Sequence, residues 1–374
     1  MRIAWVSFDF EEYSVLHVNE MAKQHDVMLV LPEQEDDAPE LSISDQVKQC
    51  RFQKPRLRQP LRQRAMVKEL TKRINDFNPD VIHFQQGHLW FNFGLRKLAP
   101  TPIVITVHDP RHHAGDMVSK KTPQWVIDYG FRKADHVVVH GNALADQVQE
   151  IFGFARDHIH VVPHVAMGPP SQMSHEKEEP KTVLFFGRIW EYKGLDTLIQ
   201  SEPLVSSVIP DINFVIAGQG EDFGRYDAMI QNPDRFEIHN RYITDEERVE
   251  FFERSSVVLL PYNEATQSGV VPVAYNHGRP VIATDVGALS DCVEDGKTGL
   301  LIQPRDPQAL ADAIVKMVQD QPMRHAMGHA GHEMVSSKLS PPAVAAQTLA
   351  VYQAAVESKN NMIHESATAS KVLA

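Results

Sequence analysis

Short apolar runs alternate with helix-patterned stretches from one end of the chain to the other, and this rhythm restricts the fold more than any other feature. In the first half the runs are RIAWVSF, VMLVLP, VIHFQ, PIVITVH, HVVVHG and HIHVVPH. In the second they are TVLFFGR, NFVIAG, FEIHN, VVLLPY, PVIAT and GLLI. They are apolar throughout rather than alternating, the pattern of strands covered on both faces. With helical pieces between them they predict parallel sheets built from βαβ units.

The rhythm breaks once. Residues 168–181 are rich in Pro, Ser and charge and lack an apolar period, as a linker does. The expected organisation is a first α/β domain at 1–167, that linker, and a second α/β domain at 182–340. A helix at 341–358, opened by Ser340 and two prolines, packs back toward the first domain, and 359–374 form a flexible tail. The fold class is α/β: two doubly wound, Rossmann-like sheets. Ligands of such sheets bind beyond the carboxyl ends of the strands, so two such edges facing one another would make a cleft.

The 374 residues suffice for two domains. A formal net charge of −12 argues against general nucleic-acid binding. No apolar run is long enough to span a bilayer, and the acidic start MRIAWVSFDFEEYSV lacks the apolar core of an export signal. Cys50 and Cys292 suit reduced thiols. These points favour a cytoplasmic protein. One segment departs from the acidic whole: Lys48 to Arg73 holds ten Lys or Arg and a single acid, Glu69. The plain reading is a solvated loop and helix face. The sharper one, suggested by interleaved Phe52, Leu57, Leu61, Met66, Val67 and Leu70, is peripheral contact with an anionic inner membrane face or a lipid-linked acceptor.

Chemistry concentrates at strand ends in the second half. TVLFFG runs into Gly187-Arg188-Ile189-Trp190-Glu191-Tyr192-Lys193-Gly194. Glycine lets the backbone turn, Arg188 offers a planar fork of donors, and Lys193 adds a point charge near a helix start. VVLLPY leads into Asn263-Glu264-Ala265-Thr266-Gln267-Ser268-Gly269-Val270, where amides of Ser268, Gly269 and Val270 near a helix N-terminus suit a phosphate. Thr244 and Glu247 form a capping box, with Tyr242 and Ile243 just before it.

The set GRIWEYKGLDTLI, NFVIAGQGE and NHGRPVIATDVGALSDCVEDGKTGLLIQPRDPQALADAI, in that order, closely resembles the C-terminal domain of group 1 (family 4) retaining glycosyltransferases of GT-B fold. The resemblance implies transfer of a sugar, with retention, from a nucleoside-diphosphate sugar to a glycan or lipid-linked acceptor, in polysaccharide or glycoconjugate synthesis. No cofactor and no metal are implied. Arg188 and Lys193 would neutralise the donor diphosphate, the leaving group on which charge grows. Gly187, Glu264, Ser268, Gly269 and Val270 would complete the donor site, with base contacts near Tyr242 and Ile243.

Two departures mark a Thr-Gln-Ser-Gly variant. Similar enzymes hold the ribose with a Glu where this chain has Val273, and that residue's partner position is Ala265, beside Glu264. They also have glycines after the first strand, where this chain reads Ser7-Phe8-Asp9-Phe10-Glu11-Glu12-Tyr13-Ser14.

In the first half, PIVITVHDPRHH ends a strand at His108, which resembles the family histidine beside the transferred sugar, with Asp109 next to it. Gln85, Gln86 and His88 are candidates for reading acceptor hydroxyls. His83, His140 and His164 also fall at strand ends, where a scaffold role is expected. His112 and His113 lack the spacing of a zinc site. The competing readings are a GT-B relative of other chemistry, such as a sugar-nucleotide epimerase, and a catalytically degenerate subunit that binds a partner transferase or a membrane.

Overall fold

Each of those apolar runs becomes a parallel strand. The computed structural model describes residues 1–33, 41–112, 122–168, 173–266 and 268–372. They fall into two units: one takes the chain to Val165 and returns from Pro341, the other runs from Ala166 to Ser340.

The N-terminal unit contains β1 (Arg2–Val6), α1 (Glu11–Ala22), β2 (Asp26–Pro32), β3 (Val47–Phe52), α2 (Pro60–Phe77), β4 (Val81–Gln85), β5 (Ile103–Thr106), α3 (Gln124–Phe131), β6 (His136–Val139), α4 (Asn142–Phe152) and β7 (Ile159–Val161). Its seven-stranded parallel sheet has the order β3-β2-β1-β4-β5-β6-β7. Ile3, Trp5, Val27, Leu29 and Val81 pack on one face, and Ala4, Val6, Ile82, Phe84 and Ile105 on the other. Burial on both faces is why these runs are apolar without alternation.

The C-terminal unit contains β8 (Thr182–Phe186), α5 (Leu195–Ser206), β9 (Asn213–Ala217), α6 (Gly224–Asp227), β10 (Phe236–His239), α7 (Asp245–Arg254), β11 (Val257–Leu260), α8 (Val270–Asn276), β12 (Val281–Thr284), α9 (Leu289–Cys292), β13 (Gly299–Ile302), α10 (Pro307–Gln319) and α11 (Gln321–Ser337). Its six-stranded parallel sheet has the order β10-β9-β8-β11-β12-β13. In both sheets the order reverses beside the first strand of the unit, between β1 and β4 and between β8 and β11. The loops after these strands are the places where such folds bind ligands.

The last helix, α12 (Pro341–Val372), packs against α1, β4, β5 and β6 of the N-terminal unit. It runs well past the end expected near residue 358. Nothing after that point breaks a helix, and the Lys359 ammonium pairs with Asp135 at 2.7 Å. A second correction is β3, which the apolar-run criterion passes over. Val47-Lys-Gln-Cys-Arg-Phe52 is an edge strand in which polar side chains are interspersed with buried Val47, Cys50 and Phe52.

Candidate functional site

The switch point of the C-terminal sheet is built from two loops held against each other. At the end of β8, Gly187 has φ +119°, a conformation suited to glycine. Its amide donates to the Ala217 carbonyl at 2.9 Å, which turns the chain out of the sheet. Arg188 follows, exposed and without an ion-pair partner among the described residues. A 3₁₀ turn at Glu191–Lys193 leads to Gly194, with φ +67°. A Cβ there would lie 1.9 Å from the Pro261 carbonyl oxygen, so only glycine allows this approach to the loop after β11. The amide of Asn263 donates to the Tyr192 carbonyl at 2.7 Å. The Lys193 ammonium lies 3.7 Å from the centre of the Tyr262 ring, which is buried. That aromatic face, attractive to a cation, places the ammonium beside the loop after β11.

The same loop carries the other donor-side candidates. Glu264 is exposed, and its amide lies 3.4 Å from the Tyr192 carbonyl. Ser268 is buried, and its Oγ accepts the Val270 amide at 3.2 Å, beside Gly269 at the cap of α8. The Val270 amide, expected to face a phosphate, is thus engaged by the Ser268 hydroxyl within the loop. Gln267 lies outside the described residues. Tyr242 and Ile243 follow the edge strand β10, two strands from β8. Tyr242 is 65% exposed, and its carbonyl accepts from Arg241 at 3.0 Å. Both halves of the Thr244–Glu247 capping box are formed.

The matching ends of the N-terminal sheet are packed with rings. His88 stacks on Phe8 at 4.0 Å between centroids, and His108 on Phe10 at 4.1 Å. His108 is only 1% exposed. Burial, reinforced by the nearby His140, His164, His83 and His17, lowers its pKa well below the ordinary value, so the ring is neutral. Gln85 is buried as well, against its candidacy as an acceptor reader. It sits on the strand behind His108, with Oε1 2.9 Å from His108 Nε2 and Nε2 3.0 Å from His83 Nε2. Gln86, half-buried at φ 54°, accepts the His108 amide at 2.9 Å and donates to the Asp109 carbonyl at 3.2 Å, holding the 108–109 turn. His88 is buried, and its pKa falls to about 4, chiefly through burial and then through Lys54. His83 lies inside β4 rather than at its end, and Nδ1 of His140 and of His164 bond main-chain carbonyls. Of the candidates, Gln86 and Asp109 alone are partly open.

Residues 11–165 match the family Glycosyltransferase Family 4, and residues 180–320 match Glycosyl transferases group 1. The chain is a group 1 glycosyltransferase. It is similar to the glycogen synthase of Mycobacterium tuberculosis (strain ATCC 25618 / H37Rv), with 24% identity over 298 residues, 75% of this chain and 70% of that protein. Among solved structures it resembles sucrose-phosphate synthase from Thermosynechococcus elongatus (TM-score 0.73, 19% identity, 94% of this chain and 98% of that one). It also resembles Anabaena Alr3699/HepE solved with UDP (TM-score 0.66, 15% identity, 95% and 100% of the two chains). The two parallel α/β units are those of the GT-B fold.

Against that background, this group 1 glycosyltransferase packs Val273 into the apolar cluster of α8, beside Val271, Ala274 and Ala265. The glycine-free loop after β1 is filled by buried Ser7 and Phe8, and two acids of that stretch are paired in place. Lys54 pairs with Asp9, and Arg51 with Glu11 at 2.7 Å. Part of the basic segment is therefore spent within the N-terminal unit. Phe52, Met66, Val67 and Leu70 face the core, whereas Leu61 is 78% exposed among exposed Arg58, Arg62, Arg64 and Lys68.

His112 bonds the Thr122 carbonyl at 3.0 Å, and His113 lies outside the described residues. His175, Glu178 and His325 do converge. The Glu178 carboxylate, however, already bonds the buried guanidiniums of Arg279 and Arg324, at 3.3 and 2.7 Å. Two fixed positive charges at that distance repel a divalent cation. No helix among the described residues is long and apolar enough to cross a membrane.

Proposed function

We propose that this glycosyltransferase moves a sugar, with retention, from a nucleoside-diphosphate sugar to a glycan or lipid-linked acceptor in polysaccharide or glycoconjugate synthesis. The observation that carries the reading is Arg188, exposed at the β8 switch point beside the ring-held ammonium of Lys193. The leaving nucleoside diphosphate gains negative charge as the sugar departs, and two fixed cations stabilise that charge without a metal or cofactor. Glu264 binds hydroxyls of the donor sugar. The amides of Ser268 and Gly269 add weaker contacts. Tyr242 and Ile243 lie on the side of the base.

From the N-terminal unit, His108 supports the transferred sugar, and Gln86 and Asp109 serve the acceptor. The UDP bound to the Anabaena protein makes UDP the first base to test. The exposed Arg58, Arg62, Arg64 and Lys68, with Leu61 among them, support peripheral contact with an anionic membrane from the cytoplasmic side.

Release of UDP or GDP from a panel of donor sugars measures the reaction, and the anomeric configuration of the product tests retention. Full turnover by an Arg188→Ala, Lys193→Ala protein would overturn the assignment.

A further inference from the structure

Four side chains in the N-terminal unit form a continuous buried chain of hydrogen bonds that ends at His108. Tyr352 Oη on α12 lies 2.6 Å from His83 Nδ1. His83 Nε2 lies 3.0 Å from Gln85 Nε2 and 2.8 Å from Thr106 Oγ1. Gln85 Oε1 lies 2.9 Å from His108 Nε2. The residues meet for simple reasons. His83 and Gln85 are two apart on β4 and so share a face of the sheet, Gln85 pairs in register with Thr106 of β5, and α12 packs on those strands. Trp5 stacks on His83 at 4.0 Å, and Phe10 on His108, so both rings are held in place. All four side chains are buried.

A wired chain of this kind has a direction. With its oxygen toward His108, the Gln85 amide accepts a proton from His108 Nε2–H and donates one to His83 Nε2. With Nε2 accepting, His83 carries its proton on Nδ1 and donates it to the Tyr352 oxygen; the Thr106 hydroxyl, 2.8 Å from His83 Nε2 and 3.3 Å from Gln85 Nε2, is a second partner at that link. His108 is left with a bare Nδ1. Turning the amide over reverses every link, and His108 would carry its proton on Nδ1 instead.

We propose that Tyr352 is a positioning residue for the transfer reaction: acting through His83 and Gln85, it fixes His108 as the Nε2–H tautomer with Nδ1 as a hydrogen-bond acceptor. This rests on the reading that His108 serves the transferred sugar. His108 Nδ1 is buried and has no hydrogen-bond partner among the described residues; fixed as an acceptor, it can take a bond from a sugar hydroxyl and gives none. Tyr352 is far from His108 in sequence and belongs to the terminal helix, so that helix helps to define the site rather than merely covering the sheet.

The test uses the full chain labelled with ¹⁵N-histidine, the His108 signals being assigned by their loss in His108→Gln. Long-range proton–nitrogen spectra are expected to show Nε2–H at His108 in the wild type and a shift toward Nδ1–H in Tyr352→Phe. In the same variant kcat falls about 10-fold, the low end of what losing an orienting hydrogen bond costs, while KM for the donor stays unchanged. An Nδ1–H signal in the wild type, or an unchanged tautomer and kcat in Tyr352→Phe, overturns the proposal. Should Tyr352→Phe fail to fold, Gln85→Glu decides instead. Its carboxylate accepts from His108 and stabilises the protonated ring, so the acid limb of the kcat–pH profile moves to higher pH; an unmoved limb overturns the wiring. Wild-type turnover in His108→Gln would refute the catalytic reading of that residue, and the tautomer measurement, which needs no turnover, would then decide the wiring alone.

Discussion

The two sheets share the same strand order through six strands, yet their switch points are furnished in opposite ways. In the C-terminal unit the loops after β8 and β11 meet through glycine, carry Arg188 outward and hold Lys193 against a tyrosine face. In the N-terminal unit the loops after β1 and β4 are filled by stacked Phe8 and His88, and the charges nearby are paired. Strand order locates an edge where a ligand can bind. The loop residues decide whether that edge takes an anion or is sealed. The contrast can be broken by experiment, beginning where the effect is greatest.

Replacing both Arg188 and Lys193 by alanine is expected to lower turnover about 10⁴-fold, since one fixed donor to a developing anion contributes about 10²-fold or more. Nucleotide affinity, read by calorimetry, falls with it. Lys54→Ala, at the other switch point, leaves nucleotide affinity unchanged. Equal losses in the two proteins would end the distinction between the edges.

The C-terminal unit also buries charge, but at the amino ends of its strands. Glu178 precedes β8 and bonds Arg279, which precedes β12, and Arg324 on α11. Burial opposes ionisation of Glu178, but bonds and charge from Arg324, with His325 and Arg279, outweigh it and hold its pKa below the ordinary carboxylate range. Glu178→Gln strands two buried guanidiniums and is expected to cost about 3 to 5 kcal/mol in denaturant unfolding. A depressed carboxylate pKa contributes stability above its unfolded value and loses it as pH falls, so the penalty shrinks in acid. A penalty independent of pH would show that packing, not charge, holds the network.

Acid separates the units differently. Burial lowers the pKa of His17 and His164 to about 4 and of His140 to about 3. The unfolded chain takes up protons on these rings near pH 6.5, before the folded chain does. Stability is therefore complete above pH 6.5 and declines between there and about pH 4. The N-terminal unit, which holds this cluster, is expected to lose several kcal/mol over that window, since each ring contributes about 1.4 kcal/mol per pH unit between its unfolded and folded pKa. Hydrogen exchange resolves the units, and greater acid loss in the C-terminal unit would contradict the reading.

How much of this was legible beforehand follows from the range of each interaction. The apolar strands, the glycine turns and the Thr244–Glu247 capping box are local and stand in the sequence. Edge strand β3 escaped because its charged residues hide the pattern, and the length of α12 because small polar residues read equally well as a frayed end. Neither the anchoring of Glu178 nor the Tyr352–His83 bond has any local signature. They join positions 146 and 269 residues apart, and only the fold brings them together. The burial of Gln85 was likewise invisible, because a glutamine at a strand end looks the same whether it meets solvent or a histidine.

The smallest effect concerns the basic segment of the N-terminal unit, a third kind of surface. Arg51 and Lys54 neutralise the loop after β1, so reversing them should disturb that loop. Arg58, Arg62, Arg64 and Lys68 are exposed and make no ion pair among the described residues, so reversing them has nothing local to disturb. Each reversal in this second set is expected to lower binding to vesicles containing anionic lipid about 5-fold at low salt, with no measurable change in melting temperature. Leu61→Ser should weaken the same binding at high salt, where charge is screened and an exposed apolar side chain still inserts. Should Arg51 and Lys54 matter as much as the outer four, the segment would be a single electrostatic field. Should only the outer four matter, the chain has divided one basic run into an inner part that builds the N-terminal edge and an outer part that addresses a surface.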